Sequence, residues 1–349
     1  MFGLPTYAVD TEVDVAFGLS VGPPVGAMLP LSTAAQKTLS SVSVTLQSGG
    51  LGAFSLEFEA WDTWLQELTL LGQSQLAVDN HVEIALGHQS SATLIHGPIT
   101  DLSASFSSGG LSLSISGYDV RHVLRQGLYL RVFPEQNELE VAAAICEARG
   151  LSVKVEKGQN PPPLKVLRQA GRQSDYETIT ELLDRVGYVL DVDGQTVVIR
   201  EPVQKPTNPF AIPTYSPITL HRFSGTDSTA EQIDGVIVLG YDPETGKKIE
   251  GTAGTVKSVT SPPRVITLHR DVDTQAAANL IAESELDRRK KKKMTASADL
   301  RGDATLVPGG WIEVTDVGPF SGDWRITRAV HSWNPSGGYT TSLSLEQEA

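Results

Sequence analysis

Gln173-Ser174-Asp175-Tyr176-Glu177-Thr178-Ile179-Thr180-Glu181-Leu182-Leu183-Asp184-Arg185-Val186-Gly187-Tyr188, running on through Asp193-Gly194 to Ile199, decides how this chain is read. Ser174 can cap a helix, and Glu177 three residues on can close a capping box. Ile179, Leu182, Leu183 and Val186 fall on one helical face. Gly187 stands where a left-handed C-terminal cap is needed. Two short strands then flank Asp193-Gly194, a strong hairpin signal. The unit carries no obvious catalytic group and reads as a part for assembly rather than for chemistry.

The same grammar occurs upstream. Asn137 and Glu140 make a second capping box, Val141, Ala144, Ile145 and Ala148 an apolar stripe, and Gly150 a stop before the strand residues Leu151, Val153 and Val155. Asp119 caps a short helix to about Gln126, and Pro161-Pro162-Pro163 marks an exposed linker. Two helix–strand units alone do not establish a repeat.

To either side the chain reads as β structure. Val42, Val44 and Leu46 alternate with Ser41, Ser43, Thr45 and Gln47, and Phe54, Leu56 and Phe58 with Ser55, Glu57 and Glu59. Val82, Ile84 and Leu86 repeat the pattern, as do Leu111, Leu113 and Ile115 against Ser112, Ser114 and Ser116. Period two means strands with one buried and one wet face. Strands are expected again at Ile218–Leu220, Val236–Leu239, Val265–Leu268, Met294–Leu300, Trp311–Val314, Trp324–Thr327 and Tyr339–Leu345. A helix near Thr274 to Arg289 interrupts them, with Ala277, Leu280 and Ile281 inward. Pro202, Pro206, Pro209, Pro213 and Pro217 make residues 201–217 an extended connector. The expected class is α+β, mainly β: barrel-like β domains over 1–118 and 218–349 flank an α+β domain with its connector over 119–217.

A chain of 349 residues exceeds one ordinary core. Its 40% hydrophobic content is that of a soluble globular protein. No apolar run approaches the roughly 20 residues that span a bilayer, and the N-terminus, with Asp10, Glu12 and Asp14, is no signal peptide. The expectation is a cytoplasmic protein, or one exported without a signal. Cys146 is the single cysteine, which excludes an intrachain disulfide and reads as a small buried side chain. A net charge of −13 argues against wrapping nucleic acid by counterion release. It leaves room for a channel along which nucleic acid slides without sticking.

The catalytic motifs fail on context. Gly18-Leu19-Ser20-Val21-Gly22 matches a nucleophile elbow, but Pro23-Pro24 block the helix that must follow. Gly240 to Lys248 has five residues between its glycines where a P-loop has four, with Lys248 where Ser or Thr belongs, so Asp242 to Gly246 reads as a hairpin turn. His81, His88, His96, His122, His221, His269 and His331 show no i, i+4 pair on a helix and no cysteine cluster, so no metal or cofactor is expected. Arg301-Gly302-Asp303 reads as a tight turn. Glu57 and Glu59 share a strand face about two strand rises, roughly 7 Å, apart. That would suit a glycosidase, but an exposed polar face accounts for them equally well. A carbohydrate-binding module would need an aromatic platform, whereas Trp61, Trp64, Trp311, Trp324 and Trp333 are mostly interleaved with core strand residues.

One charge run remains: Arg288-Arg289-Lys290-Lys291-Lys292-Lys293. The plain reading is a solvated helix end, where the macrodipole favours cations. The sharper one is an electrostatic patch that meets an acidic neighbour in an oligomer.

Taken in order, several stretches resemble the phage late control protein D family, the baseplate hub proteins of contractile tails. Leu300 to Gly309, Trp311-Ile312-Glu313-Val314, Phe320 to Ile326, Ala329 to Trp333 and Gly338 to Leu345 resemble its C-terminal end. Gln173 to Tyr188 resembles its middle domain. His96-Gly97-Pro98-Ile99, with Gly109 to Asp119, resembles its first barrel. The resemblance implies two tube-like barrels per chain. Three chains then make a pseudo-six-fold ring that joins a six-fold tail tube to a three-fold spike.

The implied partners are two further copies of the chain, the tail tube protein, the spike protein and other baseplate proteins. DNA or cargo would pass through the lumen unbound, with no membrane anchor and no catalysis. The implied place is the virion tail baseplate, assembled in the bacterial cytoplasm. Related VgrG-type spikes continue into an OB-fold and a β-helical needle. Here the sequence ends at Ala349, so spike and any hydrolase are expected on separate chains.

Overall fold

The computed structural model describes residues 15–24, 26–59, 61–62, 67–68, 74–88, 90–107, 110–156, 158, 161–207, 209–213, 220–228, 232–242, 245–257, 263–270, 272, 274–290 and 294–347. The fold is α+β and mainly β. The N-terminal part holds β1 (Val15–Gly22), β2 (Leu29–Pro30), α1 (Thr33–Lys37), β3 (Leu39–Gln47), β4 (Ala53–Glu59), β5 (Trp61–Asp62), β6 (Glu67–Leu68), β7 (His81–His88), β8 (Ala92–Ser107) and β9 (Gly110–Tyr118). The alternation that foretold β3, β4, β7 and β9 is the alternation of their burial. Val42, Val44, Phe54, Leu56, Phe58, Val82, Ile84, Leu86, Leu113 and Ile115 close one core.

A 3₁₀ turn over Val120–Arg125, capped by Asp119, leads into the middle of the chain. There lie β10 (Leu130–Gln136), α2 (Glu138–Ala148), β11 (Ser152–Val155), β12 (Leu164–Ala170), α3 (Asp175–Val186), β13 (Val189–Asp193) and β14 (Thr196–Arg200). Both capping boxes are formed, by Asn137 with Glu140 and by Ser174 with Glu177. Gly187 ends α3 at φ 74°, and Gly194 turns the β13–β14 hairpin at φ 59°. β11 pairs in parallel with β14, whose other edge takes β13 antiparallel. The inward stripe of α2 is rotated from the expected one. Ala142 and Cys146 are buried while Ala148 is exposed, because α2 is packed between α3 and the strands and buries a wider face. Pro161, expected in an exposed linker, is buried. Burial pushes the Cys146 thiol up to about 12, so a thiol reagent is expected to leave the folded protein unlabelled at pH 8 and to react only with unfolded chain.

The C-terminal part holds β15 (Phe210–Pro213), β16 (Leu220–Asp227), β17 (Gly235–Tyr241), β18 (Lys248–Gly254), β19 (Val265–His269), α4 (Gln275–Lys290), β20 (Met294–Arg301), β21 (Trp311–Thr315), β22 (Gly322–Asn334) and β23 (Gly338–Glu346). The end of the proline-rich connector is itself a strand, β15, parallel to β21. Among the described residues it has β21 on one side only, which suits a segment ending in Pro213. β17, β18, β19 and α4, inserted between β16 and β20, pack on the middle of the chain. Val236, Val238, Ala278 and Ile281 share one core with Ile145, Ile179, Leu183 and Val197. β16, β20, β21, β22 and β23 close a third core around Trp324. One sheet of 13 strands runs through both β regions, joined where β22 pairs with β3.

Candidate assembly surface

Two stretches of this sheet have the same design. Along it the order is β16-β20-β23-β22, then β3-β4-β9-β8. Each quartet has a long strand and its hairpin partner on one side, and two shorter strands on the other. The pairings agree residue for residue. Leu39 opposes Phe58 with a register shift before Ser41, and Leu220 opposes Leu300 with a register shift before Arg222. Ile99 opposes Gly117 with a shift before Asp101, and Ile326 opposes Leu345 with a shift before Arg328. The central pairs Leu56–Ile115 and Ala298–Leu343 are likewise equivalent. β-bulges bend a strand and raise its twist, and here the register shifts fall at the same points of both quartets.

Within the chain the quartets meet edge to edge, Arg328 to Trp333 of β22 running antiparallel to Gln47 to Val42 of β3. The other two edges lie open. Among the described residues, Asp101 to Ser107 of β8 has only β9 beside it, and β16 has only β20. The apolar side of β8 continues the core face, because Leu102, Ala104 and Phe106 stand opposite Ile115, Leu113 and Leu111. Yet Leu102 is 39% and Phe106 69% exposed, while Ala329 and His331, at the places of Leu102 and Ala104 in the closed junction, are 0% exposed.

Two buried ionic clusters hold the α+β layer: one ties it to the sheet, and the other docks α3 within it. Arg121 pairs with Asp119 at 2.6 Å, donates to the Gly50 carbonyl at 2.6 Å and also reaches the Leu190 carbonyl. It thereby ties the β3–β4 turn to β13. A cavity of about 360 Å³ opens beside it, lined by His96, Asp191 and Arg200 among others. Asp175, fully buried at the start of α3, accepts from Arg131 at 3.0 Å, Arg149 at 2.6 Å and Gln169 at 2.8 Å. Both arginines lie over the Tyr129 ring. In sequence Asp119 and Asp175 showed only as a cap and a helix start. Their partners come from distant elements and left no local signal.

His331 is buried, its Nδ1 2.9 Å from the Tyr339 hydroxyl and 3.2 Å from Thr341 Oγ1. The other face of the cluster is His88, whose ring lies 5.5 Å from that of Tyr339. Burial lowers the His331 pKa to about 4. The unfolded chain, with its histidine near 6.5, therefore binds the extra proton between about pH 6.5 and 4. The stability is whole above that window and falls through it by about 3 kcal/mol. Denaturation midpoints from pH 7 to 4 should drop steeply in the wild type and less in His331→Gln.

Other residues singled out in the sequence are placed as follows. Arg288 and Arg289 end α4 and are both tied to Glu285, at 2.7 and 2.8 Å, and Lys290 is exposed. Burial pushes the Glu285 carboxyl up, but the bonds from Arg289 and Arg288 outweigh it and hold it low. Lys291, Lys292 and Lys293 lie outside the described residues. Ser20 sits within strand β1. Tyr241 opposes Lys248 across a hairpin, with Gly246 at φ 69°. Gly302 gives its N–H to Tyr339 and has the Tyr339 ring where a Cβ would stand. Glu57 accepts from Ser114 at 2.8 Å, across to β9. Trp311 and Trp324 are buried, and Trp333 stacks on Phe17. Trp64 lies outside the described residues, and the side chain of Trp61 is not described. No group of three or more potential metal ligands occurs among the described residues.

The whole arrangement is similar to that of known tail proteins. The 43 kDa tail protein of prophage MuSo2 from Shewanella oneidensis matches with a TM-score of 0.71 and 15% identity, over 95% of this chain and 98% of that one. A tail protein from Neisseria meningitidis MC58 matches with a TM-score of 0.71 and 16% identity, over 95% and 97%. The E. coli c3393 protein is described as a component of the type VI secretion system with structural similarity to the T4 tail proteins gp27 and gp5. It matches with a TM-score of 0.61 and 12% identity, over 88% and 73%. No protein-family model and no curated protein matches the chain. At these identities the likeness is one of fold.

Proposed function

We propose that this chain is the structural hub of a contractile phage tail baseplate, or of a related contractile injection system. It acts as a homotrimer that adapts a six-fold tail tube to a three-fold spike, and it catalyses nothing. The observation that carries the reading is the repeated quartet. A chain with two like edge-joined units presents six similar surfaces when three copies close a ring, while each single feature of the chain recurs three times. On this reading segments 1–118 and 218–349 supply the two tube-like units, and 119–217 braces them. The tube, spike and remaining baseplate proteins are its partners, and DNA or cargo passes the lumen without specific binding. The fold likeness to tail proteins of two bacteria supports the same conclusion.

Native mass spectrometry with negative-stain microscopy tests it: a ring-shaped trimer is expected, and a monomer at every accessible concentration overturns it. The cationic run is assigned to the interface between copies. Glu285 is already bound to Arg288 and Arg289, so the test is placed on the lysines of the run, Lys290–Lys293. Replacing these four lysines by glutamate should abolish the trimer, and an unchanged oligomer would remove the run from the interface.

A further inference from the structure

We infer that the open edge of β8 pairs with the open edge of β16 of a second copy, antiparallel, in the register of the chain's own β22–β3 junction. The inference rests on the hub reading and adds residues to it. Strand equivalence fixes the partners. In the closed junction Ala329 opposes Leu46, Val330 opposes Thr45, His331 opposes Val44, Ser332 opposes Ser43 and Trp333 opposes Val42. In the first quartet the places of Ala329 to Trp333 are held by Leu102 to Phe106. In the second, the places of Leu46 to Val42 are held by Asp227 to Phe223. The open pair is therefore Leu102–Asp227, Ser103–Thr226, Ala104–Gly225, Ser105–Ser224 and Phe106–Phe223.

Three observations favour a second copy as the occupant. The chain already holds a finished example of this junction between two quartets with the same bulges. At two of the five pairs the side chains correspond: Ser332–Ser43 becomes Ser105–Ser224, and Trp333 opposite Val42 becomes Phe106 opposite Phe223. Burial is missing along this edge: Leu102 and Phe106 prolong a core face that ends in solvent. An exposed edge with an apolar face is a ready template for pairing. The two edges differ, so the contact is head-to-tail and closes a ring or runs on as a filament.

Cysteine pairing across the junction tests the register. Ser105→Cys with Ser224→Cys places two thiols directly opposite, within disulfide reach, whereas Ser103→Cys with Ser224→Cys sets them on a diagonal roughly 7–8 Å apart. The native Cys146, buried and with its pKa raised to about 12, stays silent. Under mild oxidation the first pair is expected to link neighbouring chains at least about tenfold faster than the second. Phe106→Asp should weaken assembly at least about tenfold without lowering monomer stability, since an aspartate there is wet in the monomer and desolvated in the junction. If the trimer forms but the first pair fails to link, or links no faster than the diagonal pair, the register is overturned and the hub reading stands. Phe106→Asp trimers of wild-type strength would likewise overturn it. If the wild type never leaves the monomer, both fall together.

Discussion

Replacing Arg121 by alanine is expected to cost about 3–5 kcal/mol of folding stability, the usual consequence of removing one partner of a buried ion pair. The figure follows from what stays behind. Asp119 remains 4% exposed, holding a charge that now faces no cation. The Gly50 and Leu190 carbonyls lose their donor as well. Because those carbonyls belong to the β3–β4 turn and to β13, the loss should also loosen the hold of the middle layer on the sheet. Equilibrium urea unfolding of the purified chain measures the first effect. Hydrogen exchange at Leu190 to Val192 measures the second. Arg121→Met fills the space without the charge and should be nearly as harmful, because the uncompensated carboxylate persists. An Asp119→Asn, Arg121→Met double variant should recover part of the loss, because it removes both charges together. A loss below about 1 kcal/mol in Arg121→Ala would mean that the pair is bystander to the fold.

Asp175→Ala is expected to be of the same size, about 3–5 kcal/mol, by a different route. One buried carboxylate serves two guanidinium groups and a glutamine amide. Its removal leaves Arg131 and Arg149, both over the Tyr129 ring, with like charges and no shared anion. Asp175 also stands in the first turn of α3, where a negative charge complements the helix N-terminus. Asp175→Asn keeps the shape and one acceptor but turns an N–H₂ toward a guanidinium. It should lose most of the same stability. The helix itself should survive, since Ser174 and Glu177 cap it independently. Far-UV circular dichroism should therefore stay near wild type while the urea midpoint falls. Loss of the helical signal in the folded baseline would show that Asp175 is needed for α3 and not only for its docking.

Much of this architecture is legible in the chain because its signals are local. The capping boxes at Asn137 and Ser174, the Asp193-Gly194 turn and the alternation in β3, β4, β7 and β9 involve neighbours a few residues apart. Other strands were found too short, β22 above all: it runs from Gly322 to Asn334, and only its first half alternates in an obvious way. Burial still alternates in its second half, but Ala329 and His331 hold the buried places, so residue type hides the period. The repeat between the quartets left almost no mark in residue types. Leu39 matches Leu220, Ser43 matches Ser224, Thr45 matches Thr226 and Ser55 matches Ser297, but Val42 answers to Phe223 and Leu102 to Ala329. What the two quartets share is the register and the bulges, which residue types alone do not show. The cationic run was visible but not its pairing with Glu285, one helical turn back.

The quartets differ in one respect that bears on how the chain reaches its fold. Residues 48–52 are all that separates β3 from β4, whereas residues 228–293, with three strands and α4, separate β16 from β20. Closing the first hairpin costs little entropy; closing the second as open chain would cost more and proceed more slowly. The insert closes this distance as a compact body: Gly235 pairs with Gly254 and Val265, and near its two ends Gln232 donates to the Arg289 carbonyl at 2.9 Å. Two units of one design thus close their first pair on different terms: β3 meets β4 across a short turn, and β16 meets β20 only across the insert.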